Sequence, residues 1–407
     1  MIALPRRLRA PLALFVLAML AVPVTAQRAP APKGLILDRV VVLMRHGVRA
    51  PLDGEVPHGT RTAKPWPTWT TPESDLTPHG AEALAAEARA DRADWIARGL
   101  LSQGCPAPGS IRIWTNSSSR TIASGEAYAR GLAPGCAVPV DHKPLGQADP
   151  LFEPLRARAT HFDAKVAVAD IDRFTGGMDA LVARHRPALQ LLNQVLGCDD
   201  PKGCDPAGPA RLTPSADGHG IDLTGPIRTA SGTAQVMLLQ YAEGLSPSVG
   251  GLPVDSAVLA RLGTVHAALF DVYSRSPYMA AHQSAAFGRH MIDALTRRDG
   301  TALDMLVGHD TNVTALAALL GFDLVTPGYA TNDAAPGGAI MIERWHDAKG
   351  RAFVTVRYRT QSPEHIRAHA AAVSIRPVQV RGCPVDAPCP LDAFVRLFRE
   401  RLAPLAE

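Results

Sequence analysis

Three times along this 407-residue chain an apolar run breaks off in polar or charged residues and then continues as a helix. Residues 35–44, "LILDRVVVLM", are aliphatic and β-branched, the pattern of a strand covered on both faces. They end in Arg45-His46-Gly47. Residues 111–115 form a second short strand, followed by a Ser-rich loop and a helix from about Arg120 to Gly131. Residues 303–307 form a third, with a turn at Gly308-His309-Asp310 and a helix from about Asn312 that stops at Gly321. Strands that alternate with helices in this way predict an α/β fold, a mostly parallel central sheet flanked by helices. Ligands of such sheets gather at the carboxyl ends of the strands, beside helix N-termini whose free N–H groups favour anions. Arg45-His46, Arg120 and His309-Asp310 all fall at such junctions.

Other segments fill in the organisation. Residues 51–75 read as an irregular loop with Pro and Trp. Thr77 as N-cap and Pro78 at the first helical position open a helix to about Leu101. Residues 155–290 have helical periodicity and little strand character, which predicts an inserted, mainly α-helical domain. The α/β domain then comprises residues 27–154 and 291–407. The first 26 residues read as a signal peptide. Arg6, Arg7 and Arg9 precede a short apolar run at 10–22, and Val24-Thr25-Ala26 offers small residues for cleavage. That run is too short to span a bilayer comfortably.

The segment holds three Arg and no acidic residue, so its loss lowers the formal charge from +4 to +1. A nearly neutral protein has no general affinity for nucleic acid or anionic membranes. Any cationic site must therefore be local. Six cysteines behind a signal peptide read as disulfides. Nearness in sequence pairs Cys105 with Cys136, Cys198 with Cys204 and Cys383 with Cys389. A zinc site would need CxxC spacing with His partners, and there is none.

Cations crowded at the edge of a core repel one another unless an anion neutralises them. Arg45, Arg49 and Arg120 each carry a planar fork of donors matched to phosphate oxygens. Phosphoryl transfer spreads charge over three equatorial oxygens, so fixed cations can supply much of the catalysis. Arginines here take the place a metal fills elsewhere, which predicts no cofactor and no metal requirement. His46 is the candidate nucleophile, forming a phosphohistidine. The adjacent arginines disfavour its protonation and keep the ring neutral. His309 is a further donor to the phosphate. Asp310 is the general acid for the leaving alcohol and then the base for water. Because that acid must start protonated, an optimum of about pH 4–6 follows from the usual range of Asp.

Each feature has a plainer explanation when taken alone. "RHG" is a weak motif, Arg120 fits a surface charge, and Asp310 or Asn312 fits a helix N-cap. Asn116 and Asn312 lie in glycosylation-type triplets, but a glycan on the second would block the proposed site. No HExxH ligand spacing and no GxxxxGK[ST] loop is present.

Taken together, "RHGVRAP" at 45–51 and "GHDTN" at 308–312 resemble the histidine acid phosphatases, the branch of the histidine phosphatase superfamily with RHGxRxP and HD motifs. The resemblance extends to "WPTW" at 66–69, "LTPHG" at 76–80, "DPLFEPL" at 149–155 and "PGGAIMIERWHD" at 336–347. It implies an α/β core with a helical insertion and a phosphohistidine on His46. It also implies phosphate binding by Arg45, Arg49, Arg120 and His309, with Asp310 as proton donor. Bacterial periplasmic phytases and glucose-1-phosphatases are the most similar groups, so the expected location is the periplasm. The expected partner is a small phosphomonoester, either phytate or a sugar phosphate such as glucose 1-phosphate, handled by a monomer or simple homo-oligomer. Leu52 and Asp53 stand where such phytases often carry Lys, which disfavours extra phosphates. Two rivals remain: a phosphoglycerate-mutase-like transferase, which predicts neither signal peptide nor disulfides, and a non-catalytic sugar-phosphate binding protein.

Overall fold

A computed structural model of the protein describes residues 31–198, 204–298 and 300–403. The signal-peptide reading lies outside the described residues. Strand β1 (Ile36–Arg45) leads through a long loop to α1 (Pro78–Ala97), and β2 (Ile111–Thr115), α2 (Ser119–Leu132) and β3 (Val140–His142) follow. Then come α3 (Ala164–Thr175), α4 (Met178–Leu196), the hairpin β4 (Arg211–Pro214) and β5 (Ile221–Thr224), α5 (Pro226–Ala242), α6 (Ser256–Phe270) and α7 (Pro277–Thr296). The chain returns through β6 (Leu303–Gly308), α8 (Asp310–Leu320), β7 (Ala339–His346), β8 (Ala352–Thr360), the single turn α9 (Pro363–Arg367), β9 (Ser374–Val378), β10 (Cys389–Pro390) and α10 (Leu391–Leu402).

The main sheet runs β10-β8-β7-β1-β6-β2-β3, with β9 also on β8. The pairs β1–β6, β6–β2 and β2–β3 are parallel, whereas β7 is antiparallel to both β1 and β8. Strands β1, β2, β3, β6 and β8 thus point one way, and β7, β9 and β10 the other. The period-2 geometry of a strand explains why β1 is apolar throughout. Val41 and Leu43 pack on one face with α7, α8 and α10. Val40, Val42 and Met44 pack on the other with α1 and α2. Both faces are covered, so a polar side chain on either would be stranded.

A third apolar cluster joins α3 to α6, with Leu181, Leu192, Met237 and Val265 all buried. Helix α7 serves two cores. Its Met279 belongs to this helical cluster, while Phe287 and Met291 pack on the sheet. The β4–β5 hairpin is, among the described residues, the one strand pair in a region expected to be mainly helical. Ser215, Asp217 and Gly220 close its turn through side-chain hydrogen bonds. Disulfides join Cys105–Cys136, Cys198–Cys204 and Cys383–Cys389, as nearness in the sequence indicated.

The loop at 51–75 is not a loose connection. The Arg61, Ala63 and Lys64 N–H groups donate to the carbonyls of Cys204, Leu196 and Val249, and Trp66 packs on the helical cluster. The helical region therefore fixes the segment that follows the Arg45-His46 turn.

Candidate active site

The register of the sheet assembles the site. Arg45 of β1 pairs with Gly308 of β6, and the His46 N–H donates to the Gly308 carbonyl at 3.0 Å. On the far side of β6, the Asn116 N–H reaches the Val307 carbonyl at 2.9 Å. Three strand ends thus deliver Arg45-His46, His309-Asp310 and the Asn116–Arg120 turn into one row. Helices α2 and α8 start from that row, so their unpaired N–H groups lie beside it.

The His46 ring is buried, and its Nδ1 lies 2.8 Å from the Gly47 carbonyl oxygen. A carbonyl only accepts, so Nδ1 carries the proton and Nε2 holds the lone pair. Burial is the main cause holding the His46 pKa well below its ordinary value, with Arg120, Arg45 and Arg49 adding to it. The neutral form of the ring is therefore favoured. Gly47 allows a close approach to the neighbouring helix. A Cβ there would stand 2.7 Å from the Leu84 side chain, so glycine lets the turn lie against α1. The Gly47 N–H is itself held by the Ser124 hydroxyl at 3.1 Å.

His309 caps α8, and its N–H donates to the Asn312 Oδ1 at 2.9 Å. Its Nε2 donates to the Asn116 Oδ1 at 3.1 Å, and its Nδ1 faces an Arg120 nitrogen at 3.4 Å. The ring stands edge-on to His46, centroids 5.6 Å apart. Burial, followed by Arg120, pushes the His309 pKa down to about 3. In the unliganded protein both nitrogens of His309 already have partners.

Asp310 begins α8, with one carboxylate oxygen 3.0 Å from Arg45. Burial favours its neutral form. That is the largest single cause, but the combined field of Arg45, His266, His309 and Arg49 outweighs it, and the pKa lies well below the carboxylate range. The premise of an ordinary Asp pKa therefore does not apply to the free protein, where the carboxylate form of Asp310 is favoured.

The three arginines are close but differently partnered. Arg45 reaches the Ala334 carbonyl as well as Asp310. Arg49 is gripped end-on by Glu55 at 2.6 and 2.7 Å and donates to the Ala50 carbonyl at 3.0 Å. Arg120 has no carboxylate partner among the described residues. Burial, then Arg49, pushes its pKa down to about 10. The structure brings Arg45, His46, Arg49, Arg120, His309 and Asp310 together. Among the described residues no group of three or more His, Cys, Asp or Glu has metal-holding geometry.

Sequence reasoning passed over four supporting residues. Asn116 sets the His309 tautomer, Asn312 holds the His309 backbone, Ser124 holds Gly47, and Glu55 clamps Arg49. Both asparagines are buried, so neither triplet is open to a glycan in the folded chain. Glu55 left a faint signal, an acidic residue six positions after an arginine. Asp53, which did attract attention, is solvent-exposed and faces His58 at 3.7 Å.

Residues 36–162 match the histidine phosphatase superfamily, branch 2. The chain is 32% identical over 353 residues to phytase AppA of Escherichia coli K12, covering 80% of this chain and 81% of that one. It belongs to the histidine phosphatase superfamily. Glucose-1-phosphatase of Salmonella typhimurium LT2 is 28% identical over 393 residues, covering 90% and 93% of the two chains. The fold superposes on Hafnia alvei phytase in complex with tartrate with a TM-score of 0.85 at 30% identity, over 93% of this chain and all of that one. The protein is an enzyme of the histidine acid phosphatase type, and its substrates are small phosphate esters.

Proposed function

We propose that this histidine phosphatase works through a phosphohistidine on His46, without a metal, and that it acts in the bacterial periplasm. The observation that carries the reading is the Nδ1–H···O=C bond of His46 to Gly47, which leaves Nε2 as a neutral nucleophile among three arginines. Arg45, Arg49 and Arg120 hold the phosphoryl oxygens. The Nε2 lone pair attacks phosphorus, the P–O bond to the alcohol breaks, and Asp310 passes a proton to the leaving oxygen. Water then attacks the phosphohistidine, Asp310 takes its proton, and phosphate departs. His309 joins the arginines as a donor through its ring N–H, without taking up a second proton. In the complex the bound phosphate offsets the field of Arg45 and raises the Asp310 pKa, so the limb of kcat reports the complex and not the free enzyme.

We assign the substrate to small esters with a single phosphate, such as glucose 1-phosphate. Leu52, Asp53 and Glu55 follow the Arg45–Pro51 turn with no cation among them, which gives the further phosphates of phytate little to hold. The region 155–290 acts in this reading as an insertion domain that walls the site, within a monomer or simple homo-oligomer. The test is kcat/KM for glucose 1-phosphate against phytate at about pH 5 with EDTA present. A higher value for the monophosphate supports the assignment. A strong preference for phytate sinks the substrate class, and activity that returns only with metal sinks the mechanism.

A further inference from the structure

Arg49 has five N–H donors, and their partners show which of them are available. Glu55 takes the end-on edge through both terminal nitrogens, and the Ala50 carbonyl takes another hydrogen of the same Nη1. Nε is buried and has no partner. The side-on edge, Nε with the outer hydrogen of Nη2, is therefore the one left for an oxyanion. Glu55 is itself largely buried, and its carboxylate also accepts from the Leu52 N–H at 2.8 Å. Its backbone is fixed by α5. At Gly232 any side chain would collide with the Glu55 carbonyl oxygen.

The clamp also settles the charge of the site. Arg45 and His46 face it from the end of β1, Arg49 and Glu55 from the following loop, Arg120 from α2, and His309 and Asp310 from α8. His266 of α6 acts on Asp310 from behind, and Glu153 acts on His309 while bonded to Asn116 and Arg156. Around the phosphate position, three guanidiniums stand against the carboxylates of Asp310 and Glu55. One positive charge is left over.

We propose that Glu55 is a specificity-determining residue: its ion pair with Arg49 limits the phosphate site to one net positive charge, so the site selects the singly charged form of a phosphomonoester. The selection has a chemical consequence. A monoanion carries a P–OH proton, which passes to the Asp310 carboxylate and from there to the leaving oxygen. Alcohol and phosphohistidine form with no proton drawn from solvent. The inference rests on Arg49 binding phosphate.

The experiment follows kcat/KM for p-nitrophenyl phosphate against pH for the wild type, Glu55→Gln, Glu55→Asp and Arg49→Ala. The second proton of this aryl ester leaves below the value of about 6 typical of alkyl phosphomonoesters, so wild-type kcat/KM falls above the pKa of the ester itself. Glu55→Gln adds one net positive charge and suits the dianion. Its falling limb moves to higher pH, with a gain over wild type on the order of tenfold above the limb. Glu55→Asp keeps the wild-type limb. An equal loss at every pH in Glu55→Gln, with the limb unmoved, makes Glu55 a scaffold and overturns the inference alone. An unchanged KM in Arg49→Ala overturns the phosphate-binding reading beneath it. The wild type gives a check that needs no variant to fold. Inorganic phosphate must raise its melting temperature less as phosphate loses its second proton, and a rise that grows with pH overturns the proposal.

Discussion

Two clusters of buried charge sit back to back in this molecule, one beneath the Arg45-His46 turn and one above it. Beneath, Glu87, Asp91 and Asp94 of α1 and Glu343 of β7 meet Arg98, Arg357 and Arg359, every partner a tenth exposed or less. Four carboxyls face three guanidiniums, so one proton would neutralise the set. Burial supplies it by pushing the Glu87 pKa up to about 8, against the opposing pull of Arg359. Above, the arginines outnumber the carboxylates, and Arg120 has no ion-paired carboxylate among the described residues. The lower cluster is balanced within the chain and the upper one is not. Buried charge that serves structure is paired, whereas buried charge that serves function waits for a counter-ion from outside. The two are in contact. Arg359 donates to the Gly337 carbonyl at 2.8 Å, and the Gly337 N–H holds the His46 carbonyl at 3.1 Å.

The largest expected effects lie in the upper cluster and concern rate. His46→Ala should lower turnover by on the order of 10⁴-fold or more, while inorganic phosphate still raises the melting temperature because the arginines remain. Asp310→Asn separates two roles. With glucose 1-phosphate, whose leaving oxygen needs a proton, kcat should fall by about 10²–10⁴-fold. With p-nitrophenyl phosphate the first displacement survives, and rapid mixing should show a burst of one p-nitrophenolate per enzyme before slow hydrolysis. Equal losses on both substrates with no burst would remove Asp310 from the proton path.

Next comes a pair of substitutions that should move opposite properties. Arg359→Met leaves Glu87 and Asp91 without their main partner, so stability should drop by about 3–5 kcal/mol, read by denaturant melts. Arg120→Ala removes an unpaired, desolvated cation. The unliganded protein should melt no lower than wild type, while kcat/KM falls at least tenfold. If Arg120→Ala destabilises as much as Arg359→Met, the distinction between balanced and unbalanced clusters collapses.

The smallest effect is a pH slope. Glu87 is protonated in both the folded and unfolded chain below its ordinary value of 4.5, and between there and about 8 only the folded chain holds the proton. Stability from this group is therefore present at low pH, is lost as pH rises across that window, and is flat beyond it, a change on the order of a few kcal/mol. Glu87→Gln is neutral throughout. Its unfolding free energy should lose that decline, and an unchanged slope would place the proton elsewhere.

Sequence alone determined the strands that carry the site, their polar ends and the residue types gathered there. A strand buried on both faces must be apolar along its length, so the point where β1 stops being apolar is also the point where it leaves the core. That is why Arg45, His46 and the His309-Asp310 pair were legible before any geometry. Helix starts were nearly as clear, since Thr77 announced the cap it makes, though His309 and not Asp310 or Asn312 caps α8. What only the tertiary structure decided was partnership. Nothing local indicates that Glu55 would grip Arg49, that Asn116 would set the His309 tautomer, or that Arg45 would pull the Asp310 pKa below its ordinary range. Those outcomes depend on distances across strands and on a loop pinned by a distant helix. Coulomb energy and desolvation are set by where charges come to rest, not by their order along the chain.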